Sequence, residues 1–477
     1  FNVLGGFEYK TENQQNISAS ADGFPSEQFR YLNSAANPLG VGEFFSEFKR
    51  MSGFGKVDYN YKGRYLVGIT ARYDGSSRFG ANNQFGLFPS IQLGWNIKSE
   101  SFMKEVNVIS SLKLRASYGT TGNDQIGNFD SRGLYGAGSV YNGASGINPS
   151  SLPNPDLKWE KNESINLGLD FGLFKERLTG SLEVYNRLTS DLLLSQPLQI
   201  TSGFGGFTSN VGQLQNRGVE LELNSINLDT KWGLKWSTNF NIAYNKNEVK
   251  KLYGGLDVLA NNTSVRVGYP LGTIFSQRYA GVNPATGRPL FYDINNNITY
   301  LPIAADRVIL GDTQPEFYGG FNNTFEYKGF GLDFLFQYEY GRIVSDGQIS
   351  FLMENANRPF NTLQNIFDNR WRTPGQITSV PRPFDTGVEA QGANAVTGST
   401  RTLFKADYIR LKNITFSYNL PKSWLDKSKF SQVRLYAQGT NLFTYDDFPG
   451  YDPEFVGTAT GIIPQSKNYT FGIQVGF

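Results

Sequence analysis

The 477-residue sequence contains no cysteine and no histidine. The first absence removes disulfides and thiolate nucleophiles, and the second removes imidazole bases. Together they exclude the usual zinc ligand sets and a histidine-ligated haem. Charge is also scarce: charged residues are 18% of the chain, and 44 basic against 42 acidic groups leave a net +2, which fits neither a nucleic-acid binder nor an acidic disordered chain. No apolar run approaches the length of a transmembrane helix, so a helical span is excluded. Strands can still cross a membrane. A transmembrane β-strand needs only about ten residues, apolar at alternate positions, and its polar lumen and loops keep the mean hydropathy low, here −0.37.

What the chain has in quantity is glycine, 53 residues, aromatic residues at 15%, and alternation. Leu112, Leu114, Ala116 and Tyr118 interleave with Lys113, Arg115 and Ser117, and Ile165, Leu167, Leu169 and Phe171 interleave with Asn166, Gly168 and Asp170. Val219, Leu221 and Leu223 do the same against Glu220, Glu222 and Asn224. A period of two puts one face toward hydrocarbon and the other toward water.

By this criterion fourteen strands are predicted, near 1–10, 50–61, 64–74, 85–97, 111–120, 162–173, 177–187, 215–226, 232–245, 317–327, 330–341, 408–419, 431–442 and 468–477. Six short links alternate with seven long ones, at 11–49, 75–84, 121–161, 188–214, 246–316, 342–407 and 443–467. Short turns on one side and long loops on the other define an all-β, transmembrane antiparallel β-barrel. A soluble sandwich or propeller would also alternate, but it has no reason to segregate long loops to one side. Trp95, Trp159, Trp232, Trp236, Tyr338 and Tyr340 fall near strand ends, where amphipathic rings sit at headgroup level.

The terminal NYTFGIQVGF places Tyr469, Phe471, Ile473, Val475 and Phe477 on one face. A strand closed by a terminal aromatic resembles the signal read by BamA-type assembly machinery through strand pairing, which would put Phe477 and the short turns on the periplasmic side. The opening FNVLGGFEYK reads as a strand and not as a signal peptide, so the chain is expected to be the mature or C-terminal part of something longer. Without histidine the usual nucleophile activation cannot be assembled, and Asp446 and Asp447 fall in a solvent loop, so no enzyme is expected. GFGGF at 203–207 has no following Lys-Ser/Thr and makes no phosphate cradle.

Several segments together resemble the SusC-like (RagA/SusC) branch of TonB-dependent transporters, outer-membrane importers of the Bacteroidota. They are RYDGSSRF from Arg72, Phe88-Pro89-Ser90, Gly94-Trp95, LKLRASYGTTG from Leu112, NPDLKWE from Asn154 and RLTGSLEVY from Arg177. NVGQLQNRGVE from Asn210, YIRLKNITFSY from Tyr408, Leu420-Pro421, Asn441-Leu442 and GYDPE from Gly450 complete the set. The resemblance implies TonB-dependent import of a glycan, oligosaccharide or peptide across the outer membrane, with a SusD-like surface lipoprotein as lid, outer-membrane lipid around the barrel and a dimer of such pairs. It also implies a barrel of 22 strands with a plug that contacts TonB, so residues 1–477 would form the C-terminal part of the barrel. A shortened relative that closes a barrel of its own would be the other outcome. The alternative function is a structural subunit of a larger outer-membrane assembly or secretion complex.

In such a transporter, recognition would come from loop aromatics and amides. Tyr135, Tyr141 and Asn142 in the third loop, Phe204 and Phe207 in the fourth, and Trp371 and Arg372 in the sixth are the candidate substrate or partner contacts. No cofactor is expected. The resemblance also implies an EF-hand-like calcium loop before Asp306-Arg307-Val308-Ile309-Leu310-Gly311. Here, counting from Asp293, Ile298 takes the glycine position and Ala304 the twelfth, so the loop is expected to have lost calcium.

Overall fold

The computed structural model describes residues 1–259, 262–345, 361–383, 398–426, 429–454 and 463–477. Fourteen strands form one antiparallel sheet in strict sequence order. The first seven are β1 (Asn2–Asp22), β2 (Asn37–Tyr61), β3 (Tyr65–Ser76), β4 (Phe85–Asn96), β5 (Ile109–Asn123), β6 (Glu160–Leu173) and β7 (Leu178–Ser190). The others are β8 (Gln213–Asp229), β9 (Leu234–Lys251), β10 (Phe317–Tyr327), β11 (Phe330–Tyr340), β12 (Tyr408–Asn419), β13 (Gln432–Asp446) and β14 (Asn468–Gly476). Each corresponds to one predicted strand. The sheet is a barrel wall that does not close on itself: β1 and β14 are its two edges. No helix among the described residues is long and apolar enough to cross a membrane.

Register follows the alternation. On the outer face Val57 of β2 pairs with Ile69 of β3, which pairs with Ile91 of β4, and Leu435 and Ala437 of β13 pair with Ile473 and Phe471 of β14. A one-residue slip anywhere would turn these side chains into the polar lumen, so the apolar set fixes the pairing. Aromatic rings gather in two girdles. At the short-turn rim Tyr61 stacks on Tyr65 with centroids 6.4 Å apart, Trp232 meets Tyr327 edge-on at 5.6 Å and Phe430 meets Phe477 at 5.5 Å. Toward the long-loop rim Tyr73 stacks on Phe85 at 5.2 Å and Tyr244 lies against Phe317 at 5.3 Å. From Tyr65 to Tyr73 along a tilted strand is roughly 20–25 Å, the height of a lipid-facing band.

Trp159 departs from the expectation of a headgroup position. It turns inward and is buried against Phe79 and Phe88, because inward-facing Phe88 and the chain entering β6 enclose an apolar site at the rim.

The first long connection also differs from prediction. Instead of a loop over 11–49, β1 and β2 continue as a paired ribbon to Asp22 and Asn37, beyond Arg50↔Ser76 where β3 stops, leaving only 23–36 as loop. Ribbon residues such as Asn13, Gln15, Ser18 and Ser20 are exposed on both faces, so no apolar period marked them as strand. The third to sixth loops carry small sheets of their own, among them the hairpin Tyr135–Tyr141/Ala144–Pro149 and a three-stranded sheet of Arg278–Val282, Pro289–Tyr292 and Ile298–Thr299. The first of these turns on Asn142-Gly143, with φ of 48° and 80°. Asn-Gly at a two-residue hairpin turn is the sequence signal that would have found it.

Candidate functional site on the inner wall and long loops

The inner wall is built from the polar half of each alternation. Midway along it lie Gln92, Ser117 and Asn166, and the Asn166 amide donates to the Ser117 hydroxyl at 3.3 Å. They are shared by two hollows, of about 680 and 760 Å³, that run toward the short-turn and long-loop rims. Below the neutral belt, the Arg115 guanidinium forks onto Asp170 at 2.8 Å through two nitrogens and reaches Glu183 at 2.6 Å. Such a surface is polar and hydrogen-bonding, as the lumen side of a barrel wall is.

Two ionic nodes tie the long loops to this wall. In the first, the Asp124 carboxylate, almost fully buried, accepts from the Arg50 guanidinium and, at 2.9 Å, from the Ser76 hydroxyl. Arg78 donates to the Asp124 carbonyl at 2.9 Å and to the Asn128 side chain at 2.7 Å, and its guanidinium lies over the Phe48 ring at 4.1 Å. Beside this node Phe79, Phe88, Leu157 and Trp159 form an apolar cluster, with ring centroids of Phe79 and Phe88 at 4.9 and 5.4 Å from Trp159. The Trp159 indole donates to the Gln84 carbonyl at 3.0 Å, and Lys158 and Asn210 exchange two hydrogen bonds at 2.8 and 2.7 Å. Gly122 lets the cluster form: a Cβ there would lie 2.2 Å from the Phe88 ring.

In the second node, Arg410 of β12 donates to Asp452 at 2.6 Å, to Glu454, and to the Thr444 hydroxyl at 2.9 Å. Lys412 contacts both oxygens of Glu454, at 2.6 and 2.7 Å. Buried Arg342, at the root of the sixth loop, donates to the Pro453 carbonyl and pairs with Glu339 at 3.0 Å. Burial alone would raise the Asp452 carboxyl, but the Arg410 guanidinium and the N–H groups of Glu454 and Gln465 hold it below the ordinary carboxylate range. The segments that carry the family resemblance, RYDGSSRF, FPS and LKWE in one node and YIRLKN and GYDPE in the other, therefore meet in space. Their residues were visible in the sequence; their pairing was not.

The candidate contact residues sit elsewhere. Tyr135 and Tyr141, 71% and 85% exposed, and Asn142 stand on the hairpin of the third loop. Phe204 and Phe207 are half-buried in the fourth, Phe207 opposite Gln196 in a second hairpin. The Trp371 indole donates to the Pro284 carbonyl at 2.9 Å and packs over Gly287, fastening the sixth loop to the fifth. Arg372 donates to the Phe367 carbonyl at 2.9 Å. Among the described residues no hydrogen bond or ring contact joins these three groups.

The loop that could hold calcium does not fit the ion. Asp293 Oδ1 accepts the N–H groups of Asn295 and Asn297, each at 2.8 Å, and Oδ2 the Asn297 amide at 3.1 Å. Asp306 accepts from Ile294 at 3.1 Å and Ile303 at 2.8 Å. Ile298 stands where a calcium loop turns on glycine, and Ala304 brings no carboxylate to the twelfth position, so the bidentate ligand is missing. Among the described residues no three or more acidic groups come together as a metal site.

The comparisons agree with this architecture. The model of the family described as TonB dependent receptor-like, beta-barrel matches residues 2–355. The chain belongs to that family. TonB-dependent receptor P3 of Formosa agariphila is 34% identical over all of this chain and 50% of its own length, and TonB-dependent receptor SusC of Bacteroides thetaiotaomicron is 32% identical over 90% of this chain and 44% of its own. The RagAB peptide transporter superposes on the whole chain with a TM-score of 0.88 at 30% identity, covering 53% of that chain. This is a barrel of the SusC/RagA type, from a family of receptors and transporters and not of enzymes. The chain spans about half the length of the relatives it matches.

Proposed function

We propose that the whole protein imports a nutrient, a glycan, oligosaccharide or peptide, across the outer membrane of a Gram-negative cell of the Bacteroidota. Import is energised through TonB and a plug, and a SusD-like surface lipoprotein shares the substrate. The supporting observation is the wall itself: apolar and girdled outside, hydrogen-bonding inside, and superposable along its full length on a transporter described as a peptide importer. Tyr135 and Tyr141, exposed on a hairpin above the long-loop rim, suit a partner surface better than a sealed substrate pocket. Phe477 and the outward-facing Tyr469, Phe471, Ile473 and Val475 serve assembly by BamA-type machinery, which places the long loops outside the cell.

The test is uptake of labelled oligosaccharide and peptide pools by cells that carry the intact gene, a deletion, or the intact gene without functional TonB. Uptake lost in both altered strains supports import. Uptake unchanged in the deletion, with the protein co-purifying with non-lipoprotein machinery, would replace import by the structural-subunit reading.

A further inference from the structure

The fifth loop holds a cation of its own, supplied by the chain. Arg278 begins the strand Arg278–Val282, where it pairs with Tyr292 at the end of Pro289–Tyr292. Its side chain therefore projects over the turn that follows Tyr292. There Nη2 donates to the Asp293 carbonyl at 2.6 Å and Nη1 to the Asn296 side-chain oxygen, while the guanidinium lies 5.5 Å from the Tyr292 ring centroid. The Asp293 carboxyl is held below its usual range, first by the Asn297 N–H and amide, and also by the nearby Arg278 charge. A hard divalent cation needs six to eight oxygens with free lone pairs, and a calcium loop turns sharply at its sixth position. This loop turns instead at Asn296, φ 67°, and has Ala304 in place of the twelfth-position carboxylate.

We infer that Arg278 is the resident cation of the 293–306 loop, taking the structural place that a bound divalent ion would fill, so that the fifth loop is ordered without calcium. The consequence reaches the sixth loop. Gln277 and Tyr279, on either side of Arg278, hold it: the Gln277 carbonyl accepts the Thr400 N–H at 2.9 Å, the Tyr279 N–H reaches the Thr400 hydroxyl at 2.9 Å, and the Tyr279 hydroxyl donates to the Ser379 carbonyl at 2.9 Å. Arg278 is thus a positioning residue for the two longest loops on the rim. The inference stands on loop geometry and is independent of the import reading.

The experiment is limited proteolysis of the full-length protein in detergent, with cuts within 283–306 mapped by mass spectrometry, in EDTA and in millimolar calcium chloride. The wild type is expected to be cut at the same rate in both. Arg278→Met is expected to be cut about ten- to a hundredfold faster in both, as loss of charge-assisted hydrogen bonds implies, with Arg278→Lys in between. Calcium slowing wild-type cleavage there by tenfold or so, or Arg278→Met behaving as wild type, overturns the inference. Should Arg278→Met fail to fold, terbium luminescence of the wild type decides, since Tyr292 and Tyr300 border the loop. Sensitised emission abolished by Asp293→Asn overturns the inference; emission that is absent or unaffected by Asp293→Asn supports it.

Discussion

The Arg410 guanidinium meets the Asp452 carboxylate at 2.6 Å, 42 residues away in sequence, with side chains 4% and 7% exposed. A charge pair this deep is costly to desolvate and worth keeping only if both partners are satisfied; here Thr444, Glu454 and the Gln465 N–H complete the set. Its role is to fix the seventh loop against the inside of the wall.

Arg410→Ala is therefore expected to destabilise this region by about 3–5 kcal/mol, because Asp452 is left buried without its cation. Lys10→Ala, which removes an exposed pair with Glu12, is expected to cost about 0–1 kcal/mol. Thermal unfolding, with protease cuts mapped to 443–467, distinguishes the two, and equal effects would refute the assignment.

The same node predicts a pH response. A carboxyl whose folded pKa is depressed contributes stability that is complete above its unfolded value, about 3.9, and is lost as pH falls through the lower folded value. Protection of the seventh loop is expected to persist through pH 5 to roughly pH 4 and to fall below that; Asp452→Asn, weaker throughout, should lack this acid transition. An onset of exposure near neutral pH would contradict it.

At the other node, Phe88→Ala and Trp159→Ala each empty a packed site and are expected to cost about 3–5 kcal/mol. Gly122→Ala should destabilise for the opposite reason, since its Cβ has no room beside the Phe88 ring. Adding Phe88→Leu to Gly122→Ala is expected to recover part of the loss; the measurement is the unfolding midpoint of the purified protein.

On the lipid face, Phe471→Arg is expected to cost about 2–4 kcal/mol if the residue lies near the bilayer midplane, and to reduce the heat-modifiable, assembled fraction in outer membranes. Thr470→Arg, whose side chain faces the lumen opposite Gln438, should assemble normally.

For the proposed partner docking, Tyr135→Ser with Tyr141→Ser is expected to reduce co-purification of the proposed SusD-like lipoprotein tenfold or more, as loss of aromatic anchors does, while leaving the unfolding free energy within about 0.5 kcal/mol of wild type. Unchanged co-purification would remove these residues from the interface.

The strand count, order and outer face were legible because lipid imposes a period of two on each crossing, and the apolar set of β13 and β14 leaves one register. The β1–β2 ribbon above Arg50 was illegible for the converse reason: along β1, Asn13 and Gln15 on one face and Ser18 and Ser20 on the other are all exposed and polar, so no period is imposed. The family segments pointed to the right residues, Arg78, Trp159, Arg410 and Asp452, but alternation is a local property and carries no information about partners dozens of residues away. Trp159 could have sat at a membrane interface or in a cluster, and Trp371 against ligand or against Gly287. The sequence by itself determined the crossings, their faces and the absence of imidazole and thiol chemistry. Only the tertiary structure decided which buried charges meet, which loops they fasten and where the cation of the fifth loop comes from, because these depend on contacts between distant segments.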